Sequence, residues 1–296
     1  MKKRTRQLLF YGSVLIFILI GWGAIVFALG YKYDFVQNKF FKTGSIELKT
    51  NVSAEVYIND ELIGDTSFLG NSFSKGRFLP RTYRVRAERE GYQPWQKLVK
   101  VEAGFLAAFP RVVLIPESFD EVPVASSSLK SITVKKFDAE ENLAVIGNKQ
   151  KLEYIDIKTG EKKDIKPAAS MPVPVAGKVE PAQVVSPDEE KNAWFSGYEL
   201  RVKWVKDANY QPYKLAGDIE LITRFSQKIE DIQWYKDSAH LIVSVGGVLK
   251  LIEIDDRDGI NIFDITDIAG PFYYDRGMDA VFKFEGNKLI RIDLSK

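Results

Sequence analysis

Hydrophobic residues are distributed along this chain in two distinct ways. Residues 8–30 form one continuous apolar run of 23 residues without a charged side chain. From residue 44 onwards, apolar and polar residues alternate with period two over many short segments, which predicts β-strands with one buried face. The pattern therefore predicts a single long helix near the N-terminus, followed by a chain built of β-strands.

The apolar run is long enough to cross a lipid bilayer, because 23 helical residues at 1.5 Å each exceed a hydrocarbon core of about 30 Å. Four basic residues lie within the first seven positions: Lys2, Lys3, Arg4 and Arg6. Such basic clusters remain on the cytoplasmic side. We predict a cytoplasmic stub at 1–7, a transmembrane helix at 8–30, and a single-pass protein of the plasma membrane whose C-terminal domains lie outside.

A cleaved signal peptide is the alternative interpretation of the same segment. Ala28-Leu29-Gly30 resembles the small-residue pattern at which signal peptides are cut. The apolar run is, however, longer than the about 7 to 15 residues usual in a signal peptide. We therefore expect an uncleaved anchor.

The residues after the helix predict a small β module. Residues 31–43 are interpreted as a juxtamembrane spacer, and alternation begins at residue 44. Small or polar pairs, which favour tight turns, separate the predicted strands. A last apolar strand at 111–115 ends at Pro116, which has no N–H to donate to a ladder. The predicted module is an antiparallel β-sandwich at 44–116. Its predicted turns are Asn59-Asp60, Gly64-Asp65, Lys75-Gly76 and Glu90-Gly91.

This module resembles a PEGA domain. The matching residues are Gly44–Leu48 as the opening strand, Ala54–Asp60 as a hairpin, Gly64-Asp65-Thr66 as the next turn, and Gly91-Tyr92-Gln93-Pro94-Trp95 as the glycine-tyrosine turn. The name-giving tetrapeptide reads Asn51-Val52-Ser53-Ala54 in this chain. The resemblance implies an extracytoplasmic, often membrane-tethered module that serves cell-envelope interactions, and it implies no catalytic residue.

Residues 117–296 contain an internal repeat. Four apolar strands each precede a turn and a second, alternating strand, and they start 50, 48 and 39 residues apart. A further strand with an acidic turn precedes each pair. A period of about 40 to 50 residues with several strands per unit is typical of propeller blades, so we predict about four blades. The predicted strands are 132–134, 143–146 and 152–157; 184–185, 193–196 and 200–205; 232–234, 241–244 and 249–254; and 272–274, 280–283 and 288–293.

The turns within these repeats resemble those of WD40-like or TolB-like propellers, with Ser186-Pro187-Asp188 as one example. The fourth repeat lacks an outer strand. Either residues 121–130 supply that strand and close the ring, or the ring is incomplete and pairs with a partner. The proline-rich stretch 166–181 is interpreted as a long loop between blades.

Composition excludes several kinds of chemistry. The chain has no cysteine and one histidine, His240, which excludes cysteine nucleophiles, disulfides and metal sites that need two histidines. Beyond the basic stub, 38 basic residues face 40 acidic ones, so no basic face for nucleic acid is expected. Glycine-rich phosphate loops are absent as well. We predict no catalytic residue, no metal and no cofactor.

Three patterns with possible chemistry are better explained by structure. Asp65-Thr66-Ser67 matches the aspartic protease tripeptide, but a β-turn is sufficient to explain it and is preferred. His240 has Ser238 and Ser244 nearby, without a nucleophile elbow, so a structural histidine is preferred. Residues 255–259 hint at a calcium loop, but they fit a hairpin turn better.

Two groups of residues are candidates for binding. Tyr92 and Trp95 have rings that suit stacking on sugars, with core packing as the alternative. Arg84 and Arg86 suit anionic polymers or lipid head groups, with a solvated face of mixed charge as the alternative.

The sequence thus predicts an all-β ectodomain, a small antiparallel β-sandwich plus propeller-like repeats, behind one N-terminal transmembrane helix. The predicted function is non-catalytic binding or scaffolding in the bacterial cell envelope. The expected partners are the lipid bilayer and an envelope protein or polysaccharide; the oligomeric state stays open. The alternatives are an extracytoplasmic hydrolase and a secreted, ligand-binding propeller.

Overall fold

A computed structural model describes residues 3–129, 132–148, 150–164 and 183–295. Its described residues form one helix followed by strands, which confirms the all-β class behind an N-terminal apolar helix. The chain divides into two compact units, one within residues 1–87 and 96–113, the other within 88–95 and 114–296. The module boundaries predicted from sequence stay a prediction, and the proline-rich stretch 166–181 lies outside the described residues.

Helix α1 (Lys3–Ala28) begins five residues before the predicted span 8–30, inside the basic stub, and ends two residues before its end. Lys, Arg and Gln are good helix formers, so the stub continues the helix. Gly30, with φ of 80°, ends it, as glycine does at helix C-termini. The most apolar 18-residue stretch has a mean hydropathy of 2.3 and no part of it is buried, so the helix is long and apolar enough to cross a membrane.

The residues predicted to be a spacer form a hairpin of β1 (Tyr31–Asp34) and β2 (Lys39–Lys42). The Asp34 carboxylate accepts a hydrogen bond of 2.8 Å from the backbone N–H of Val36. Asn38 follows with a φ of 52°, which asparagine tolerates. The capped loop thus turns the chain back on itself.

Two sheets make up the rest of the first unit. One has three strands in the order β6-β3-β9 and the other has four in the order β5-β4-β7-β8. Ile46, Leu48, Val56, Val85 and Ala87 are completely buried, as expected for alternating residues on the inner faces of a sandwich. The strands are β3 (Gly44–Thr50), β4 (Glu55–Ile58), β5 (Glu61–Asp65), β6 (Ser72–Phe78), β7 (Thr82–Glu88), β8 (Trp95–Lys100) and β9 (Leu106–Val112).

The sandwich departs from the prediction at its edge. β9 pairs with β3 in parallel, whereas an antiparallel sandwich was predicted. β9 also ends at Val112, three residues before the predicted end of the last strand, and contains Pro110. Proline is accepted there because β9 is an edge strand and the register shifts between Leu48 and Thr50.

Two predicted turns of this module have different outcomes. Asn59 and Asp60 both have positive φ, 52° and 67°, which a two-residue hairpin between β4 and β5 requires. Lys75-Gly76 is no turn, because both residues lie inside β6. A small residue and a lysine are compatible with this strand since its middle is exposed.

The second unit contains four sheets of four strands each. We name them blade 1 (β11–β14), blade 2 (β15–β18), blade 3 (β19–β22) and blade 4 (β23–β25 with β10). Neighbouring strands in every blade are antiparallel. The strands are β10 (Glu121–Ser126), β11 (Val134–Asp138), β12 (Leu143–Gly147), β13 (Leu152–Asp156), β14 (Lys162–Lys163), β15 (Val184–Val185), β16 (Lys191–Ser196), β17 (Glu199–Trp204), β18 (Ile219–Arg224), β19 (Ile229–Trp234), β20 (His240–Val245), β21 (Val248–Glu253), β22 (Ile262–Asp267), β23 (Phe272–Asp275), β24 (Ala280–Glu285) and β25 (Lys288–Asp293).

Strand β10 closes the ring. It pairs with β25 from Glu121 opposite Ile292 to Ser126 opposite Lys288. Of the two alternatives for the fourth repeat, the structure therefore shows the first, in which residues from before blade 1 supply the missing outer strand.

Blades bury their apolar faces against each other, as propeller blades must. One core cluster joins blades 2 and 3 around Trp204, Trp234 and Leu241. A second cluster joins blades 1 and 4 around Ile146, Phe282 and neighbouring residues. Residues of two blades share each of these clusters, so the blades stabilise one another.

The acidic turn predicted in each repeat is present in every blade. Between the first and second strand, an aspartate carboxylate accepts a hydrogen bond from a backbone N–H up to three residues later, which fixes the turn. The pairs are Asp138 with Glu141, Asp188 with Glu190, Asp237 with Ala239, and Asp275 with Met278.

Candidate functional site

A cavity of about 730 Å³ lies where the first strands of the four blades meet. It is lined by residues of β11, β15, β19 and β23, one strand from each blade. In a propeller these innermost strands surround the central channel. The cavity is thus formed by the repeat itself, and a pocket of this size accommodates a small ligand.

The polar residues of the cavity carry both signs of charge. Lys136 comes from blade 1, Asp231 from blade 3 and Arg276 from the end of β23 in blade 4. Asp231 is partly buried, and burial raises the pKa of its carboxyl above the ordinary value. Its Oδ1 accepts a hydrogen bond of 2.8 Å from the N–H of Ile232. This bond orients the carboxyl without fully compensating its burial.

Gln233 joins blades 3 and 4 beside the cavity. Its Nε2 donates to the carbonyl oxygen of Phe272 at 2.9 Å, and its Oε1 accepts from the N–H of Tyr274 at 2.9 Å. The side-chain amide therefore forms two hydrogen bonds with the backbone of β23 and connects blade 3 to blade 4. The charged residues of the cavity wall are Lys136, Asp231, Asp275 and Arg276.

Aromatic rings form much of the remaining wall. Phe137 of blade 1 stacks on Tyr273 of blade 4 with ring centroids 5.9 Å apart. The indole Nε1 of Trp234 donates a hydrogen bond of 2.7 Å to the carbonyl oxygen of Val184, which connects blades 3 and 2. These contacts hold the rings in place and preform the cavity.

The arrangement is suited to binding rather than to a particular reaction. Apolar walls with a few oriented polar groups are typical of small-molecule sites. A buried carboxyl with a raised pKa is a frequent mark of a functional site. Within the described residues, no group of three or more His, Asp or Glu side chains is placed to hold a metal ion.

A buried hydrogen-bond network supports the blade 4 side of the cavity. The carboxylate of Asp279 accepts hydrogen bonds from Tyr274 Oη at 2.7 Å, Lys236 Nζ at 2.8 Å and Tyr235 Oη at 3.3 Å. Burial and the charge of Asp279 raise the pKa of both phenols. The network connects the turns of blades 3 and 4 and fixes Tyr274 in the cavity wall.

The structure places the two aromatic binding candidates differently. Trp95 is completely buried, and its Nε1 donates to the carboxylate of Glu253 at 3.3 Å within the second unit. This burial favours the core-packing alternative over stacking on a sugar. Tyr92 is half-buried, with the guanidinium carbon of Arg89 5.0 Å from its ring centroid.

The two arginine candidates belong to strand β7. Arg84 is exposed and forms an ion pair of 3.0 Å with Asp60. Arg86 is half-buried, with its guanidinium carbon 4.7 Å from the ring centroid of Tyr57. Both contacts fit the solvated face of mixed charge. A binding role of Arg84, Arg86 and Tyr92 stays a prediction.

Residues weighed for catalysis have structural partners. His240 is completely buried, and its Nδ1 lies 2.7 Å from Asp237 Oδ2. Ser238 Oγ accepts from the N–H of Asp188 at 3.1 Å, and Ser244 Oγ donates to Glu230 at 3.1 Å. These contacts fit a structural histidine rather than an activated serine.

The two motifs interpreted as turns have different outcomes. Asp65 lies in β5, opposite Glu55 of β4, so the turn predicted at this position is wrong and the chain is extended there. In the calcium-like segment, Asp255 accepts from Arg257 Nε at 2.9 Å, and Asp258 and Gly259 have positive φ, as in a turn between β21 and β22. The Asp255 carboxylate, which a calcium ion would need as a ligand, is therefore paired with Arg257.

The cavity residues were not singled out from the sequence. The sequence analysis predicted the strands 184–185, 232–234 and 272–274. Each is the first strand of its repeat, and this shared position is the feature from which the cavity could have been inferred. First strands line the channel of a propeller. Asp231 lies one residue before its predicted strand, and Lys136 and Arg276 lie near predicted acidic turns, where sequence alone does not separate them from solvated residues.

Comparison with known proteins finds solved structures only at low identity and low TM-score. No family model and no curated protein matches the chain. The β-propeller domain of Cps50 (Swd1) from Myceliophteria thermophila is 11% identical, with 72% of this chain and 67% of that chain covered and a TM-score of 0.29. Hsv2 of Kluyveromyces lactis is 8% identical, with 74% and 69% covered and a TM-score of 0.29.

A third similar structure is an extracellular domain described as that of a hybrid two-component system from B. thetaiotaomicron. It is 13% identical and has a TM-score of 0.27, and 90% of this chain is covered. The chain spans only 31% of the length of that protein. The propeller architecture described above rests on sheet order, ring closure and the shared cavity.

Proposed function

We propose that this chain is a single-pass, membrane-anchored binding or scaffold protein of the bacterial cell envelope, without catalytic activity. In this proposal α1 anchors the protein in the plasma membrane with its N-terminus in the cytoplasm. The β units lie outside, and the propeller cavity receives the ligand. The ligand is a small molecule or a projecting group of an envelope protein or polysaccharide.

The uncovered helix is the observation that carries the proposal. None of its most apolar 18-residue stretch is buried, and Phe17 is 77% exposed. Leaving one large apolar side chain in water costs about 1.5–3 kcal/mol relative to burying it. A row of such side chains needs an apolar environment, and the hydrocarbon of a lipid bilayer supplies one.

Contacts at the end of the helix favour an anchor that is retained. The carbonyl oxygen of Gly30 accepts from Thr43, from its N–H at 2.8 Å and its Oγ1 at 2.7 Å. Arg77 donates to the carbonyl oxygen of Phe27 at 3.2 Å, with its guanidinium carbon 3.5 Å from the Phe27 ring centroid. Signal cleavage after Gly30 would remove the Phe27 contacts, so these contacts fit an intact helix better than a leader.

The binding role is supported by the cavity, and the absence of catalysis is supported by the environment of the catalytic candidates. Asp231, Lys136 and Arg276 offer oriented charges beside aromatic walls. His240 has no exposed atom to present to a substrate. We therefore prefer binding to hydrolysis.

Membrane fractionation tests the anchor. The full chain is expected in the membrane pellet after alkaline carbonate washing, with an intact mass that includes α1. Protease added to whole cells is expected to remove the β units. A matched deletion of residues 3–28 should be soluble. Release of the full chain by carbonate, or a mature N-terminus at Tyr31, would contradict the anchor.

Ligand capture tests the binding role. The detergent-solubilised full chain is incubated with peptidoglycan fragments, surface polysaccharide and envelope protein extracts. Asp231→Asn in the cavity should weaken retention, whereas Asp293→Asn, at a surface ion pair, should not. Equal retention by both variants would contradict the cavity as the site. Turnover of a substrate that depends on Asp65 would instead support the hydrolase alternative.

A further inference from the structure

The hairpin of β1 and β2 folds back along the helix. From Trp22 to Gly30 the helix rises roughly 12 Å, and from Gly30 to Tyr33 the strand extends roughly 10 Å. Phe40 lies directly opposite Tyr33, and its ring centroid is 5.8 Å from that of Trp22. The two rings can approach this closely only if the hairpin runs beside the last turns of α1.

The hairpin has one mainly aromatic face and one mainly charged face. Opposite residues of an antiparallel pair project to the same side, and the rings of Tyr33 and Phe40 are 5.1 Å apart on the side of the helix. Lys32, Asp34, Lys39 and Phe41 occupy the alternating positions, and both of these lysines are exposed. Because charged side chains are expensive in hydrocarbon, this face does not lie among acyl chains.

We propose that the hairpin is a lipid-binding element, seated in the headgroup layer of the membrane that α1 crosses. The hydrocarbon then ends near Trp22, where Phe40 contacts the helix, and the last turns of α1 lie in the headgroup layer beside the hairpin. Trp22 is placed at the interface, where tryptophan is enriched. The inference rests on the proposed anchor, and it gives that anchor a defined exit point.

The remaining span is short but sufficient. Gln7 to Trp22 is 16 residues, or roughly 24 Å of helix. A short span is accommodated by thinning of the bilayer and by basic residues that extend to the interface, as Arg6 can. The usual estimate from the apolar run alone places the exit eight residues later, at Gly30.

Two features make lipid the occupant of this surface. Its aromatic face is continuous with the apolar surface of the helix, so lipid that surrounds the helix also contacts this face. The hairpin carries Lys32, Lys39 and Lys42 against one carboxylate, Asp34, a balance that complements anionic headgroups. At its tip, Phe35 and Val36 are 84% and 85% exposed, and they are positioned to enter the boundary between headgroups and acyl chains.

Fluorescence depth measurements test the tip. The chain has no cysteine, so Val36→Cys takes a single environment-sensitive dye in the full chain, reconstituted into phosphatidylethanolamine and phosphatidylglycerol vesicles. We expect a shift to shorter wavelength and several-fold stronger quenching by shallow lipid quenchers than for Phe68→Cys.

Phe68 is the matched control, because it is an equally apolar loop residue, 97% exposed. Phe68 precedes β6, whereas Arg77, which contacts the end of the helix, lies near the opposite end of that strand. Phe68 is therefore placed away from the helix end. Equal quenching at both positions would overturn the proposal.

Labelling of the helix tests the exit point. In the same vesicles, Ile25→Cys should react with a membrane-impermeant maleimide, and Ile16→Cys should not. Carbonate-resistant protein with an unreactive Ile25→Cys would overturn the hairpin proposal and leave the anchor intact. Release of the protein by carbonate would overturn both.

Discussion

The Nζ of Lys283 in β24 lies 2.6 Å from Oε1 of Glu121 in β10, 162 residues earlier in the chain. The same ammonium donates to Thr266 Oγ1 at 2.9 Å and to the carbonyl oxygen of Asp267 at 3.0 Å. Lys283 is buried. A buried cation on blade 4 thus obtains its carboxylate only when the closing strand is in place.

Removal of that carboxylate should destabilise the propeller. Glu121→Ala leaves the ammonium buried without its anion, at a cost of about 1–3 kcal/mol. Lys283→Met removes the charge together with the need for a partner, so its cost should be smaller. Urea unfolding followed by tryptophan fluorescence measures both. A larger loss for Lys283→Met than for Glu121→Ala would argue against this account.

The same ion pair should make ring closure sensitive to acid. The hydrogen bond from Lys283 lowers the pKa of Glu121 below its ordinary value of 4.5 in the folded state. A lowered folded-state pKa gives stability that is present above the unfolded value and lost as the pH falls through the folded one. The stability difference between the native chain and Glu121→Ala should therefore shrink at low pH, while Asp293→Ala serves as a control for general acid effects.

The Asp279 network should be the most sensitive polar cluster of the second unit. Asp279→Asn keeps a residue that tolerates its φ of 50° but replaces the carboxylate that three donors share. We expect a loss of about 1.5–3 kcal/mol, the range for hydrogen bonds to a charged group. Asp293→Asn, at a partly exposed ion pair, should cost no more than about 1 kcal/mol. Equal effects in urea unfolding would mean that the network contributes little.

Alkaline pH should unfold the protein through the same cluster. Burial raises the pKa of Tyr235 and Tyr274 above the ordinary value of 10.0. A raised folded-state pKa gives stability that is present below the unfolded value and lost as the pH rises towards the folded one. Stability should thus fall above about pH 10, less so in Tyr274→Phe. Absorbance at alkaline pH should show these phenols ionising only on unfolding; their reversible titration in folded protein would refute the assignment.

Asp231 should destabilise the fold at neutral pH. Because burial raises its pKa above 3.8, the neutral acid favours the folded state at low pH, and that benefit is lost as the pH rises through the folded pKa. Asp231→Asn should therefore increase stability at pH 7 by about 0.5–2 kcal/mol, as is common when an unfavourable native group is relieved. The gain should vanish in acid. A loss of stability at neutral pH would show that the carboxylate is well compensated.

Local patterns in the sequence were sufficient for most strands of the propeller. Residues 241–244 and 280–283 were predicted as strands and lie in β20 and β24, because alternation and apolar runs report burial directly. The acidic turns were equally visible, since an aspartate such as Asp237 bonds to backbone within three residues of itself.

Features that depend on distant residues were not predictable in this way. The parallel pairing of β3 with β9 joins segments about sixty residues apart, and no period in either segment encodes the direction of its partner. The hairpin β1–β2 was missed because Tyr33 and Phe40 belong to four-residue strands that bury no apolar side chain. The cavity was missed because Lys136, Asp231 and Arg276 meet only after the ring has closed.

Closure by β10 also sets an order of events in biosynthesis. The strand emerges from the ribosome before any blade. The backbone of Ser127, which follows it, forms its hydrogen bonds with Asn287 only after 160 further residues have been made. Until then, the newly made sheets expose bare edges that invite pairing with other chains. Any product cut short before β25 would keep those edges, and proteases would meet an open molecule.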